Sequence, residues 1–182
     1  MHRNRDQALT EYQRLIGRVL NCIANTWVYS ATTLSDEYML LAAPADQNPR
    51  TRVPGSLLRL RRGQETLLLQ ASQRFQVFDE DNFRISTVRY IYVIWSPRPN
   101  ERIIDWHYHR RQNESFEAHL HIRDDSRTTN HQLVNRHIPT GRVPLEDIVR
   151  FAIEELNVEA RDTNWRNVLE ETEAVFRENR TW

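Results

Sequence analysis

Lysine is absent from this 182-residue sequence, and all 25 of its basic side chains are arginine. A GC-rich coding sequence accounts for only part of this, because 13 Asn and 11 Ile remain. Arginine is the residue of planar, bidentate contacts to carboxylate and phosphate. Glycine is nearly as scarce. Its four positions, Gly17, Gly55, Gly63 and Gly141, build neither a G-x-G-x-x-G turn nor a Walker-type loop, which excludes the usual dinucleotide and mononucleotide cradles. The single cysteine, Cys22, cannot close an internal disulfide and reads as a small core residue on a helix. A reducing, cytoplasmic compartment is expected on that ground. No run of 18 apolar residues occurs, so no membrane-spanning helix is expected. Residues 1–6 carry no apolar stretch of the kind a signal peptide needs. No serine stands in a Gly-x-Ser-x-Gly setting, and Cys22 has no histidine near it in sequence, so a serine or cysteine nucleophile is disfavoured.

The formal net charge of zero conceals an uneven distribution. Residues 1–143 hold 20 Arg against 15 acids, and residues 144–182 hold 5 Arg against 10 acids. The densest basic stretch, Arg50, Arg52, Arg59, Arg61 and Arg62, contains no acid. It reads either as a solvated strand face or as a phosphate-facing strip, which the acidic C-terminal helices or a partner could cover. Arg59, Arg61 and Arg62, with Arg123, are the candidate nucleic-acid contacts.

Hydrophobic periodicity divides the chain into one domain over residues 1–182. Residues 7–24 carry Leu9, Tyr12, Leu15, Ile16, Val19, Leu20 and Ile23 at steps of three and four, an amphipathic helix with Asp6 at its N-cap. The region 26–123 is strand-rich. Short strands are expected at 26–30, 56–61, 66–71, 74–78, 103–111 and 116–123, with the longest at 83–95. Residues 37–43 fit strand or helix. Residues 124–137 form a polar, irregular loop, and 138–141 a turn. The C-terminal part, 144–180, holds two helices. Pro144 opens the first, and Asp162 or Thr163 caps the second. The fold class this order predicts is α+β, an antiparallel meander with an N-terminal helix and two C-terminal helices packed on one sheet face.

Four of the seven histidines form two His-x-His pairs, His107 with His109 and His119 with His121. On a strand, residues i and i+2 share a face. The apolar partners Ile104, Trp106 and Tyr108 on one strand, and Phe116, Ala118, Leu120 and Ile122 on the other, take the opposite face. If both apolar rows enter the core, the connecting loop has an odd length and all four imidazoles gather on one face. The expected register sets His109 opposite His119 and His107 opposite His121, framed by Asp105, Glu117, Arg111 and Arg123. Three readings follow. The histidines are simply solvated. They hold a divalent transition metal, zinc or manganese, as neutral imidazoles. Or they act without metal as acid and base in phosphodiester cleavage, with Arg111 among the candidate catalytic groups. His131 and His137 are candidates to complete the site from the loop. An Arg-x4-6-His ribonuclease pattern is met by Arg102 and His107, but that motif belongs on a helix and this segment reads as strand.

The run from Arg89 to His121, an aromatic strand, a turn, a His-rich strand and then Ala-His-Leu-His-Ile, resembles the TumE-type toxin components of bacterial toxin–antitoxin pairs. It covers about a fifth of the chain, with His119 and His121 as the matching positions and His107 and His109 as further ones. The resemblance implies a growth-inhibiting protein acting on RNA or translation, with a small cognate antitoxin-like partner. The leading expectation is therefore a nucleic-acid-acting protein, a toxin-like ribonuclease. The alternatives are a non-enzymatic interaction or antitoxin-like module, and a metal-dependent hydrolase of a small substrate.

Overall fold

The computed structural model describes residues 4–33, 37–46, 56–78, 84–98, 101–109, 117–123 and 137–179. They run in the order α1 (Arg5–Asn21), β1 (Thr26–Thr32), β2 (Tyr38–Pro44), β3 (Leu58–Arg62), β4 (Glu65–Phe78), β5 (Arg84–Trp95), β6 (Arg102–His109), β7 (Glu117–Ile122), β8 (Ile138–Thr140), α2 (Leu145–Glu154) and α3 (Trp165–Asn179). The strands form one antiparallel sheet in the order β1-β2-β4-β5-β6-β7-β8, with β3 paired to the first part of β4 and β2 to a later part. This is the α+β architecture that the order of patterns predicts.

Alternation explains which face the helices cover. Leu67, Leu69, Ala71 and Phe75 of β4, Tyr90, Tyr92 and Ile94 of β5, Trp106 and Tyr108 of β6 and Ala118 of β7 are buried. They pack with Tyr12, Ile16, Val19 and Leu20 of α1, Leu145, Ile148, Val149 and Ala152 of α2, and Trp165 and Leu169 of α3. Each large side chain so buried contributes about 1.5–3 kcal/mol. The tyrosines bring hydroxyls into this core, and each finds a partner, as buried polar groups must. The Tyr12 hydroxyl donates to Gln73 Oε1, and Gln73 Nε2 donates to the Tyr92 hydroxyl. The Val143 amide donates to the Tyr90 hydroxyl at 2.8 Å. Arg142 donates to the Tyr108 hydroxyl and lies over its ring at 4.1 Å.

Several boundaries differ from the sequence expectation, each for a local reason. Helix α1 starts two residues early because Asn4, not Asp6, is the cap, its Oδ1 accepting from the Gln7 amide at 2.9 Å. The expected strands 66–71 and 74–78 are one strand, β4, because Gln73 takes the inward place between Ala71 and Phe75 and burial alternates unbroken from Leu67 to Phe75. A bulge at Arg74/Phe75 stands where a break was expected. Residues 37–43 settle as strand β2 through pairing with β1 and β4. The expected turn at 138–141 contains β8, which the β7 edge pulls into the sheet. Helix α3 begins after Asn164, and Asp162 makes the preceding turn, accepting from the Asn164 amide at 2.8 Å. The Arg62–Glu65 hairpin has Gly63 at a φ of 57°, the left-handed value that a two-residue hairpin loop asks of glycine.

Candidate functional site

The chemistry-bearing residues lie on the sheet face opposite the helices. Strands β6 and β7 pair with Ile104 opposite Ile122, Trp106 opposite Leu120 and Tyr108 opposite Ala118. Those residues face the core, so the histidines between them face away. His107, His109, His119 and His121 therefore share one face, as the alternation requires. The register is a correction. His107 stands opposite His119, Asp105 opposite His121, and His109 opposite Glu117. A slip of two residues moves no side chain to the other face, so alternation cannot distinguish the two registers. The observed one sets the small Ala118 against the fully buried Tyr108, whose ring carries Arg142.

The imidazoles form a continuous cluster. His107 stacks on His119 with ring centroids 5.5 Å apart, and His119 and His121 meet edge-on at 4.9 Å. His107 lies 6.1 Å from His109 and 5.4 Å from His121. A fifth ring, His137, enters from the start of β8, 4.7 Å from His119 and 4.3 Å from His121. The pairing of β8 with β7 puts it there, so His137 joins the site through a strand that the sequence reading took for a turn.

Asp105 anchors the cluster from beneath. Its side chain is 0% exposed, and its oxygens lie 3.3 and 3.2 Å from Arg123 Nε, 3.5 Å from Arg102 Nη1 and 3.4 Å from His107 Nε2. Burial pushes the Asp105 carboxyl up, but His107, Arg123 and His121 outweigh it and hold the group below its ordinary value. His121 is 5% exposed. Burial pushes its imidazole down to about 4, with Arg123, His137 and His119 adding to the effect and Asp105 opposing it. His121 is therefore neutral at pH 7, the form a metal ligand takes. Its Nδ1 is buried with no hydrogen-bond partner.

Two sets of three side chains are placed to hold a metal ion, His119 with His121 and His137, and Asp105 with His107 and His121. In each, the ligand atoms lie within 4.8 Å of one another. Tetrahedral zinc, with Zn–N near 2.0–2.1 Å, sets its nitrogens roughly 3.4 Å apart. Small side-chain rotations would close that gap. The all-histidine set is the better donor group, because Asp105 is already engaged by two arginines.

The arginines expected at the site distribute differently. Arg123 turns its Nε to Asp105 and so belongs to the anchor of the histidines. Arg59 and Arg61 alternate with buried Leu58 and Leu60 and so point to the histidine face, but β4 and β5 separate them from β6. Arg61 lies 3.5 Å from Glu159 and Arg62 pairs with Glu65. Glu159, between α2 and α3, thus meets the basic stretch from the acidic C-terminal part of the chain. Arg111, Arg50, Arg52 and His131 lie outside the described residues. Cys22 is buried, and burial pushes its thiol up to about 11, which suits a core residue and not a nucleophile.

The sequence reading missed Arg74 and Arg89. Sheet register sets Arg74 opposite Arg89 and Arg89 opposite His109. No linear motif marks them, since they come from β4 and β5. Among the described residues, no helix is long and apolar enough to cross a membrane. No protein-family model, curated protein or solved structure matches the chain.

Proposed function

We propose that the histidine face is a divalent-metal centre that hydrolyses phosphodiesters of nucleic acid, with RNA as the substrate class. His119, His121 and His137 would hold the ion, and three protein ligands leave a fourth position for water or substrate, the arrangement of hydrolytic zinc sites. Imidazole donors suit zinc better than manganese. The ion would lower the pKa of a bound water to about 7 and polarise the phosphoryl oxygen. His107, placed against the buried Asp105 carboxylate, is the group to accept a proton, and Asp105 orients it. The observation that carries this reading is the convergence of three imidazoles around His121, a buried, neutral imidazole with an unpartnered Nδ1. The resemblance to TumE-type toxins extends it to growth inhibition through RNA.

The test has two arms. Protein stripped with EDTA is titrated with zinc and with manganese, and the bound metal is measured. One zinc per chain is expected for wild type, and less than a tenth of that affinity for His119→Ala and for His137→Ala. A single-stranded RNA is then offered with and without the metal. Cleavage that needs zinc supports the centre. Cleavage undiminished by EDTA but lost in His107→Ala and His119→Ala moves the reading to metal-free acid–base chemistry, for which the His107–His119 stack is the structural basis. No zinc binding and no cleavage refutes both.

A further inference from the structure

We propose that Arg74 and Arg89 form an oxyanion subsite that grips a backbone phosphate of a nucleic-acid strand beside the histidine centre. The two residues stand directly opposite each other on β4 and β5, and Arg89 stands directly opposite His109 on β6. Directly opposed residues have Cβ atoms about 5 Å apart. Three cationic or cationisable side chains thus stand in one cross-strand row on one face. The adjacent row, two residues along each strand, runs from Ser72 through Ile91 and His107 to His119. The arginine pair is therefore one row from the imidazoles proposed to hold the metal and move the proton.

Like charges directly opposite on a sheet destabilise it. Several other arginines of the described residues meet an acid. Arg61 meets Glu159, Arg62 meets Glu65, Arg98 meets Glu101, and Arg102 and Arg123 meet Asp105. Among the described residues, Arg74 and Arg89 have no ion pair. Nε of Arg89 is buried and makes no hydrogen bond. A buried guanidinium N–H left unmade is costly, and so is the adjacent like charge. An oxyanion accepting from both forks removes both costs at once. Guanidinium forks match the geometry of phosphate oxygens.

The proposal rests on the reading above for its reacting centre, but not for its anion. The experiment therefore uses EDTA-stripped, full-length protein, in which no metal can bind the probe. A fluorescent, mixed-sequence ten-nucleotide RNA is titrated against wild type, Arg74→Gln, Arg89→Gln and Arg89→Lys. Arg84→Gln, at the exposed start of β5, removes the same charge elsewhere. Inorganic phosphate is titrated in parallel and used as competitor. We expect affinity for RNA to fall about tenfold in Arg74→Gln and in Arg89→Gln, to recover in part in Arg89→Lys, and to change less than twofold in Arg84→Gln. Phosphate should compete with RNA on wild type and lose its effect in the two glutamine variants. Both glutamine variants should keep or exceed the wild-type melting temperature, since each relieves the repulsion. Equal weakening by Arg84→Gln reduces the effect to net charge and overturns the subsite. RNA affinity unchanged in Arg89→Gln overturns it as well. Phosphate binding that depends on the pair while RNA does not bind overturns the nucleic-acid assignment in favour of a free phosphate. Loss of zinc binding alone, with the arginine effects intact, refutes the metal reading and leaves the subsite standing.

Discussion

Acidification of the metal-free chain tests the geometry around His121 most directly. The imidazole has an ordinary pKa of 6.5 and is pushed to about 4 by burial in the fold. The unfolded chain therefore binds more protons than the folded one between these two values. Stability is fully present above about pH 6.5 and is lost as pH falls through about 4. A shift of that size corresponds to about 3 kcal/mol over the whole window. Between pH 7 and pH 4.5 this one group removes about 2.4 kcal/mol. Asp105, held below 3.8, runs in the same direction but loses its contribution only at lower pH, so the two windows are separable. Urea unfolding in EDTA at pH 7 and pH 4.5, for wild type and His121→Asn, measures the difference. Wild type should lose about 2 kcal/mol more than the variant over this interval. A difference below about 0.5 kcal/mol, the level at which surface substitutions scatter, would refute the buried, neutral placement of His121.

Asp105→Asn keeps the shape of the anchor and removes the anion, leaving Arg123 and Arg102 facing a neutral amide; a loss of about 3 kcal/mol in urea unfolding is expected. Gln73→Leu removes the acceptor of the Tyr12 hydroxyl and the donor to the Tyr92 hydroxyl, and at about 1–3 kcal/mol for an orphaned buried group it should cost at least that much, with RNA binding by the folded fraction unchanged. His107→Ala and His119→Ala should each lower RNA cleavage by about 10²–10⁴-fold, while the His119→Ala melting midpoint moves by the equivalent of about 0.5 kcal/mol or less; cleavage at wild-type rates by the double variant places the chemistry elsewhere. Saturating zinc, at about a hundredfold excess over its dissociation constant, should stabilise wild type by about 2.7 kcal/mol and His137→Ala by much less, a difference that thermal unfolding reads.

Much of the site was legible from local periodicity. The period-two alternation of Ile104, Trp106 and Tyr108 against Asp105, His107 and His109, repeated in Ala118 to Ile122, commits each side chain to a face before any tertiary contact is known. Burying one row is enough to gather four imidazoles on the other. The choice between the two registers was not legible, because a slip of two residues leaves both faces intact and only cross-strand packing, such as Ala118 against Tyr108, separates them. Position 137 shows the same limit from another side. A three-residue strand containing Pro139 has almost no propensity signal of its own, and it forms because the β7 edge offers it hydrogen bonds. Arg74 and Arg89 lie fifteen residues apart on two strands, and neither is unusual in its own stretch of sequence. Their juxtaposition with His109 exists only once β4, β5 and β6 are paired. The sequence by itself determined the fold class, the helical face of the sheet and the company the histidines keep. Tertiary structure decided which rings touch, that His137 joins them, that Arg123 serves Asp105, and that two arginines stand side by side with no acid paired to them among the described residues, because each of these depends on register between strands and not on order along one.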